Sequence, residues 1–384
     1  MQVRTKVTKM GWLRATYLTV GSFINFLFAV ALIASAYAYA IPPEETIFAS
    51  YLGLAFPVFL IINLLLAVFW IIQRHYAALI SVIAIIACWG NLWNYSPLHI
   101  GTNEPTGKTF TLLTYNVHNF NNYSPHTSDS PNPTISFIQN SGADIICMQE
   151  FSFGNSQNLI SLEQINSALS AYPYRHFTLG NKTPYSQSGI ACYSKYPFQK
   201  ITDIKYDSSY NGSCIYKIKI NGRVLTLINN HLESNKFTSN DRKFYTYMMK
   251  HIDDTELIPE FKDRLISKMG TAFRKRALQA DSIARIIEKS DSNIIVCGDF
   301  NDTPQSYAYR KIRGNLNDAY VSTGFGPGIT YYANRFWFRI DHILYGTALQ
   351  PVSTHIDKVK LSDHYPVKAI FQWNDATPKR KKEI

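Results

Sequence analysis

The chain has 384 residues, enough for one large domain and a smaller part. Its apolar content, 46%, is ordinary overall but unevenly spread. Five cysteines do not make a disulfide framework, and the formal charge of +11 sets only a mild bias towards anionic partners such as phosphoesters or nucleic acid.

The first ninety residues carry three uncharged runs: Ala15 to Ile41, Ile47 to Ile72, and the shorter Ala77 to Trp93. A helix needs roughly 20 apolar residues to cross a bilayer, with about 17 near the lower limit, so all three are read as membrane spans. The first run is too long for a signal-peptide core and is expected to be retained. Arg4, Lys6, Lys9 and Arg14 precede it, "PPEET" (42–46) follows it, and "QRHY" (73–76) joins the second and third runs. Basic flanks favour the cytoplasm, so residues 1–93 are expected to form a multi-pass region that contacts membrane lipids. Everything after about residue 94 is then expected on the extracytoplasmic side, periplasmic or extracellular.

A Gly-, Pro- and Asn-containing linker, residues 94–108, leads to a domain over 109–373; 374–384 is a basic, solvated tail. Short β-rich runs dominate the domain: "FTLLTYN", "DIICMQ", "GIACYS", "CIYKIKI", "RVLTLINN", "IIVCGD" and "RIDHILY". Asn221-Gly222 between two alternating runs predicts a hairpin with a type I′ turn. Ala277, Ala280, Ala284 and Ile287 fall on one face of a predicted helix that should pack on a sheet. Residues 121–133 read as a polar loop. Residues 237–272 read as a helical insert that covers a site, touches lipid or simply forms a surface helical pair. Cys147 and Cys297 lie in apolar strands; Cys192 and Cys214 could be cross-strand neighbours in an oxidising compartment and are read as buried free thiols.

Polar residues cluster at the strand ends. Asn116 ends "LLTYN", Glu150 ends "DIICMQE", His231 ends "LTLINNH", and Asp299 and Asn301 end "IIVCGDFN". Asp341 lies in "FRIDHIL" and Asp363-His364 in "LSDHYPV". One such residue would be a turn or a cap. Six cases from separate segments point to a site projected from a packed sheet. His342 follows Asp341 in a strand, so it should face the other way and be structural. His118 and His176 read as loop or surface groups, and no Cys/His spacing suits a structural zinc site.

In the order "TYNVHNF", "CMQE", "SGIACYSKYP", "NNHLES", "GDFNDTP", "RIDHIL" and "LSDHYPV", the chain resembles the endonuclease/exonuclease/phosphatase superfamily with the DNase I-like fold. The resemblance covers residues 109–373. It implies an α/β, four-layer αββα sandwich, preceded here by a transmembrane α-helical region. It also implies hydrolysis of a phosphodiester or phosphomonoester with Mg²⁺ or a related divalent ion such as Mn²⁺. By resemblance Asn116, Glu150 and Asp363 are expected at the metal. Asp299 would orient or deprotonate the attacking water, and Asn301 would donate to the phosphate. His231 and His364 would stabilise charge and move protons, with Asp341 orienting His364.

The chain departs from inositol-polyphosphate phosphatases, where a Trp-Cys-Asp-Arg stretch stands in place of "FWFRIDHIL", and shows no match to the DNA-gripping loops of abasic-site nucleases. The carboxylate that supports the first histidine in DNase I-type enzymes is not identifiable in the sequence. The expected substrate is a lipid headgroup or other surface phosphodiester. The alternatives are a nuclease acting on extracytoplasmic DNA or RNA, and a binding module that kept the fold and lost turnover.

Overall fold

The computed structural model describes residues 2–101, 103–123, 125–127, 129–154, 159–206, 208, 211–248, 250–251, 259–260, 262–333 and 337–374. The chain divides into two compact units, a helical one over Met1–Tyr95 and a mixed one over nearly all of Ser96–Ile384.

The helical unit contains the helices Gln2–Ala36, Ile47–Leu54, Phe56–Ile72, Ala78–Ala87 and Trp89–Tyr95. The segment Gly11–Ala36 is long and apolar enough to cross a membrane. The second and third uncharged runs are each a bent pair, broken by 51° after Leu54 and by 68° after Ala87. Inside the unit Leu32, Ala36, Phe56, Leu60 and Ala84 pack together. Polar groups also sit inside. Asn25 donates to the Ala77 carbonyl (2.8 Å) and accepts from Ser81 (2.5 Å), and Asn63 donates to the Phe28 carbonyl (2.9 Å). Large apolar side chains, including Phe23, Leu65, Ile72 and Ile83, face outward.

The mixed unit is built from two six-stranded sheets. The first runs β11 (Leu349–Ile356), β12 (Val367–Trp373), β1 (Thr109–Asn116), β2 (Ile145–Gly154), β4 (Ser186–Ser194) and β3 (Tyr174–Lys182). The second runs β5 (Phe198–Lys205), β6 (Gly212–Ile220), β7 (Arg223–His231), β8 (Ile294–Asp299), β10 (Asp341–Tyr345) and β9 (Asn317–Asp318). Most neighbours are antiparallel, but β1/β2 and β7/β8 are parallel. The alternating pattern of these strands buries one face of each sheet against the other: Leu112, Ile145, Cys147 and Ile190 meet Tyr216, Leu227, Ile295 and Cys297.

Each outer face carries helices. Ile135, Ile138 and Ile165 cover the first sheet, and Ala280, Ile283 and Ile312 cover the second. This is the expected four-layer αββα sandwich. The helix over Ser267–Glu288 buries Ala277, Ala280 and Ala284, as its periodicity predicts, with Ile287 partly buried. The β6–β7 hairpin turns at Asn221 (φ 52°) and Gly222 (φ 84°), the two positive values that a type I′ turn requires.

The expected insert over 237–272 contains a helix, Ser239–Met248, and a π-helical turn, Lys262–Ile266, that runs into the long helix. Its residues 249, 252–258 and 261 lie outside the described residues, as do 124 and 128 of the polar loop and the tail from 375 onward. Asp241 ties the insert down, accepting from Thr238 N and Oγ1 (2.7 Å each), Lys268 (2.5 Å) and Arg264 (3.1 Å). All five cysteines are free and buried. The strand partners of Cys192 are Cys147 and His176, and Cys214 pairs with Asp203 and Asn229 instead.

Candidate active site

The two parallel pairs place the site. The β1–β2 pairing ends at Asn116 and Gln149, and β7 and β8 end together at His231 and Asp299. Beneath these ends, Gln149 donates to Asn229 (2.7 Å), and Asn229 donates to the Ala191 carbonyl (3.1 Å). These buried amides lock one sheet to the other directly under the chemistry. A buried amide without a partner would cost roughly 1–3 kcal/mol, so the pairing also fixes the relative position of the sheets.

Local backbone does the rest. β2 and β4 pair in register up to Met148 and resume at Phe151, so Gln149 and Glu150 form a bulge. Glu150 takes φ 50° there, and its carboxylate, 31% exposed, turns into the cleft. Asn301 (φ 52°) and the run His118–Asn121 also have positive φ. Of nine such non-glycine residues among those described, six therefore lie at the β2 bulge or directly beside the ends of β1 and β8. Each costs of order 1–3 kcal/mol, and strain of this kind gathers where geometry is used. Gly298 explains why a glycine precedes the acid. At its φ of 128°, a Cβ would stand 2.0 Å from the Asn230 carbonyl oxygen, so no other residue lets β8 approach β7 so closely.

Asp299 is the hub. One oxygen accepts from the Asn301 backbone N–H (2.8 Å). The other accepts from the side-chain amides of Asn116 (3.0 Å) and Asn301 (3.2 Å). That second oxygen stands 3.8 Å from Nε2 of both His231 and His364. His231 Nε2 is also 3.9 Å from Glu150 Oε1, which accepts from Asn116 (3.1 Å). His364 Nδ1 lies 2.8 Å from Asp341 Oδ2, so the ring is held by one carboxylate and aimed at another. Asn301 also donates to the Leu232 carbonyl (3.0 Å), which fixes its amide plane.

Electrostatics follow from burial. Burial raises the Asp299 pKa, and the nearby Asp341 charge adds to it; the two imidazoles and the Asn116 hydrogen bond offset only part. Burial alone would lower His364, but the Asp341 and Asp299 carboxylates outweigh it and hold the ring well above its usual value. Both carboxylates therefore favour the protonated form of the ring.

Seven of the eight expected site residues thus converge: Asn116, Glu150, His231, Asp299, Asn301, Asp341 and His364. Asp363 stands apart. Its carboxylate faces His118 (3.5 Å) and the Ser362 hydroxyl (3.4 Å) and bonds none of the other seven. His118, expected as a loop or surface group, is therefore a neighbour of the site. His342 faces away, as its strand position predicts, donating from Nε2 to the Asp302 carbonyl (3.0 Å) and packing between Phe300 and Tyr309.

Sequence reasoning missed several supports. Arg276, 1% exposed, donates to Asp302 (3.1 Å), to the Glu233 carbonyl (2.7 Å) and to Asn235 (3.2 Å). It thereby joins the loop after His231 to the loop after Asp299. Ser362 donates to the Asn116 carbonyl (2.8 Å) and accepts from the His364 N–H (3.2 Å). Thr330 Oγ1 accepts from the Ile340 and Asp341 N–H groups (3.0 and 3.1 Å). Arg276 and Thr330 carry no motif, and Ser362 and Asp302 lie inside motifs without being singled out there. The only sequence signal was their nearness to residues that are.

The donor set fits a divalent cation. Glu150, Asp299 and Asp341 are met by imidazoles and amides, with no lysine or arginine bonded to them among the described residues. Asp341 Oδ1 is buried and has no hydrogen-bond donor among the described residues. So much negative charge in a buried cleft calls for a cation, and hard oxygens select Mg²⁺-like ions. Asp299, Asp341 and His364 bring ligand atoms within 4.8 Å of one another, but the His364–Asp341 hydrogen bond already fills that triangle. Glu150, the most open carboxylate, is left as the principal oxygen donor. The Asn116 oxygen accepts from the His118 N–H (3.1 Å), so this amide meets the site through its nitrogen.

The model of the Endonuclease/Exonuclease/phosphatase family matches residues 113–364. A domain of unknown function matches residues 18–95. No curated protein matches the chain. Among solved structures, the chain is similar to an endonuclease/exonuclease/phosphatase from Beutenbergia cavernae (16% identity, 70% of this chain and 72% of that one, TM-score 0.47). It is also similar to one from Bacteroides vulgatus (19%, 70% and 100%, TM-score 0.46) and to the human Nocturnin catalytic domain with bound sulfate (15%, 69% and 94%, TM-score 0.45).

Proposed function

Because this chain belongs to the endonuclease/exonuclease/phosphatase family, and is therefore a phosphoester hydrolase, we propose that it is a membrane-tethered, Mg²⁺-dependent phosphodiesterase acting on a lipid or surface phosphodiester. The observation that carries the chemistry is the position of Asp299, whose Oδ2 faces both imidazoles at 3.8 Å while its Oδ1 is held by the Asn301 N–H.

In this reading Asp299 accepts the proton of the attacking water. Its raised pKa makes it a stronger base than an ordinary aspartate. The protonated His364, fixed by Asp341, donates from Nε2 towards a phosphate oxygen as charge builds on it. His231 and the Asn301 amide supply further contacts to the phosphate. Glu150, the most open carboxylate of the group, would hold the divalent ion. The ion when bound supplies Lewis-acid stabilisation of the phosphoryl oxygens.

Membrane tethering is supported by the apolar Gly11–Ala36 helix and by the two bent apolar pairs that follow it. It is also supported by the outward-facing apolar side chains and inward-facing Asn25, Asn63 and Ser81 of the helical unit. We take residues 1–93 as three spans, 94–108 as the linker and 109–373 as the catalytic domain, outside the cytoplasm because the basic flanks precede the first span. A tether of this kind favours a substrate already on a surface.

The test uses the full chain in detergent micelles with Mg²⁺, offered phospholipids, plasmid DNA and RNA in parallel. Release of a lipid headgroup supports the proposal. Degradation of nucleic acid without headgroup release replaces it with the nuclease reading.

A further inference from the structure

A second group of metal-ligating side chains lies outside the phosphoesterase centre. His176 on β3, Asp203 on β5 and Cys214 on β6 each bring a ligand atom within 4.8 Å of the other two. They come from both sheets. β3 is the last strand of the first sheet, and β5 and β6 are the first two of the second. Asp203 and Cys214 are direct cross-strand partners, so their closeness is fixed by register.

The two ring nitrogens of His176 face different partners, and a single ion would take one of them. The Nδ1–Sγ spacing is the one that matches two donors on one ion. His176 Nδ1 stands 3.8 Å from Cys214 Sγ, and His176 Nε2 stands 3.9 Å from Asp203 Oδ2. Two donors on one zinc ion, at about 2.0–2.3 Å from it, are roughly 3.3–3.8 Å apart in a tetrahedral site. A neighbour holds one donor in turn. Thr178 donates to the other Asp203 oxygen (2.5 Å). Hydrogen bonds to a ligating carboxylate are the usual support around a metal. Cys214 is fully buried, while His176 and Asp203 are 24% and 36% exposed, so the sulfur forms the floor and solvent reaches the opening.

We propose that His176, Asp203 and Cys214 form a second cation site, which takes a thiophilic divalent ion such as Zn²⁺. Sulfur and imidazole donors select against Mg²⁺, and the three side chains leave a fourth position to water. Binding converts the Cys214 thiol to a thiolate and releases its proton to solvent; no electrons are transferred. As the ion would bridge β3 to β5 and β6, it would brace the open edge between the sheets.

Co²⁺ is the probe, titrated into the full chain with excess Mg²⁺ present. A near-ultraviolet thiolate-to-cobalt charge-transfer band should appear and be abolished by Cys214→Ser. Thr178→Val, which removes only the support to Asp203, should weaken Co²⁺ binding by about tenfold. Asp203→Asn should weaken it further while phosphoesterase turnover stays within about twofold of wild type, since no residue of that centre is touched. A saturated, folded protein without the band would overturn the proposal, as would a band that survives in Cys214→Ser or is unmoved in both Thr178→Val and Asp203→Asn. A wild-type protein that shows the band but no phosphoester turnover would count against the phosphoesterase reading alone.

Discussion

His364 Nδ1 lies 2.8 Å from Asp341 Oδ2, and the opposite nitrogen of the same ring points at Asp299 Oδ2 from 3.8 Å. Asp341 can hold the imidazole in one tautomer and orientation only while its carboxylate accepts from Nδ1. Asp341→Asn keeps the shape but replaces an acceptor-only group with an amide. Turnover should fall by about 10²–10⁴, the usual worth of an acid–base group, with the fold retained. Wild-type rates in this variant would remove the assignment.

Asp299 joins function to a stability cost. Its carboxylate is buried beside Asp341, and that burial is what lifts its pKa. Asp299→Asn should abolish measurable turnover yet leave the melting temperature unchanged or raised, because a buried like-charge contact is removed. A fall of several degrees would mean that the acid is structural.

Arg276 supports the prediction that two loops are held by one guanidinium. Arg276→Met removes the ion pair at the buried Asp302 carboxylate and should destabilise the domain by about 3–5 kcal/mol. Adding Asp302→Asn should recover part of that loss, since the charge that Arg276 balances is then gone. Strictly additive losses in the double variant would show that the pair does not act as a unit.

The pH dependence of stability should have a component from Asp318. Burial alone would raise its pKa, but Arg339, His342 and the Tyr309 hydroxyl outweigh it and hold the carboxyl well below the usual range. The folded value is below the unfolded one of about 3.9, so this stabilisation is complete above that pH and is lost as pH falls through the folded value. Denaturant midpoints between about pH 5 and pH 3 should therefore decline less steeply in Asp318→Asn than in wild type. Parallel slopes would contradict this.

Much of the site was legible because apolar strands announce their own ends. Asn116, Glu150, His231 and Asp299 each follow such a run, and the sheets bring those ends together. The edge strands were harder. β5, "FQKITDIK", is mostly exposed and lacks a buried face to impose alternation; β3 is similar. The bulge that aims Glu150 and the salt bridge of Arg276 depend on residues distant in sequence, so no local pattern reveals them. The turn of Asp363 towards His118 is likewise set by packing around Ser362.

The central claim is that Asp299 activates water at a phosphorus centre with a divalent ion bound nearby. The most direct measurement is hydrolysis of a chromogenic phosphodiester by the full chain, with Mg²⁺, with excess chelator, and in Asp299→Ala. The account predicts turnover in the first case, its loss on chelation with recovery on adding Mg²⁺ back, and none in the variant. Turnover that persists in chelator, or in folded Asp299→Ala, would contradict it.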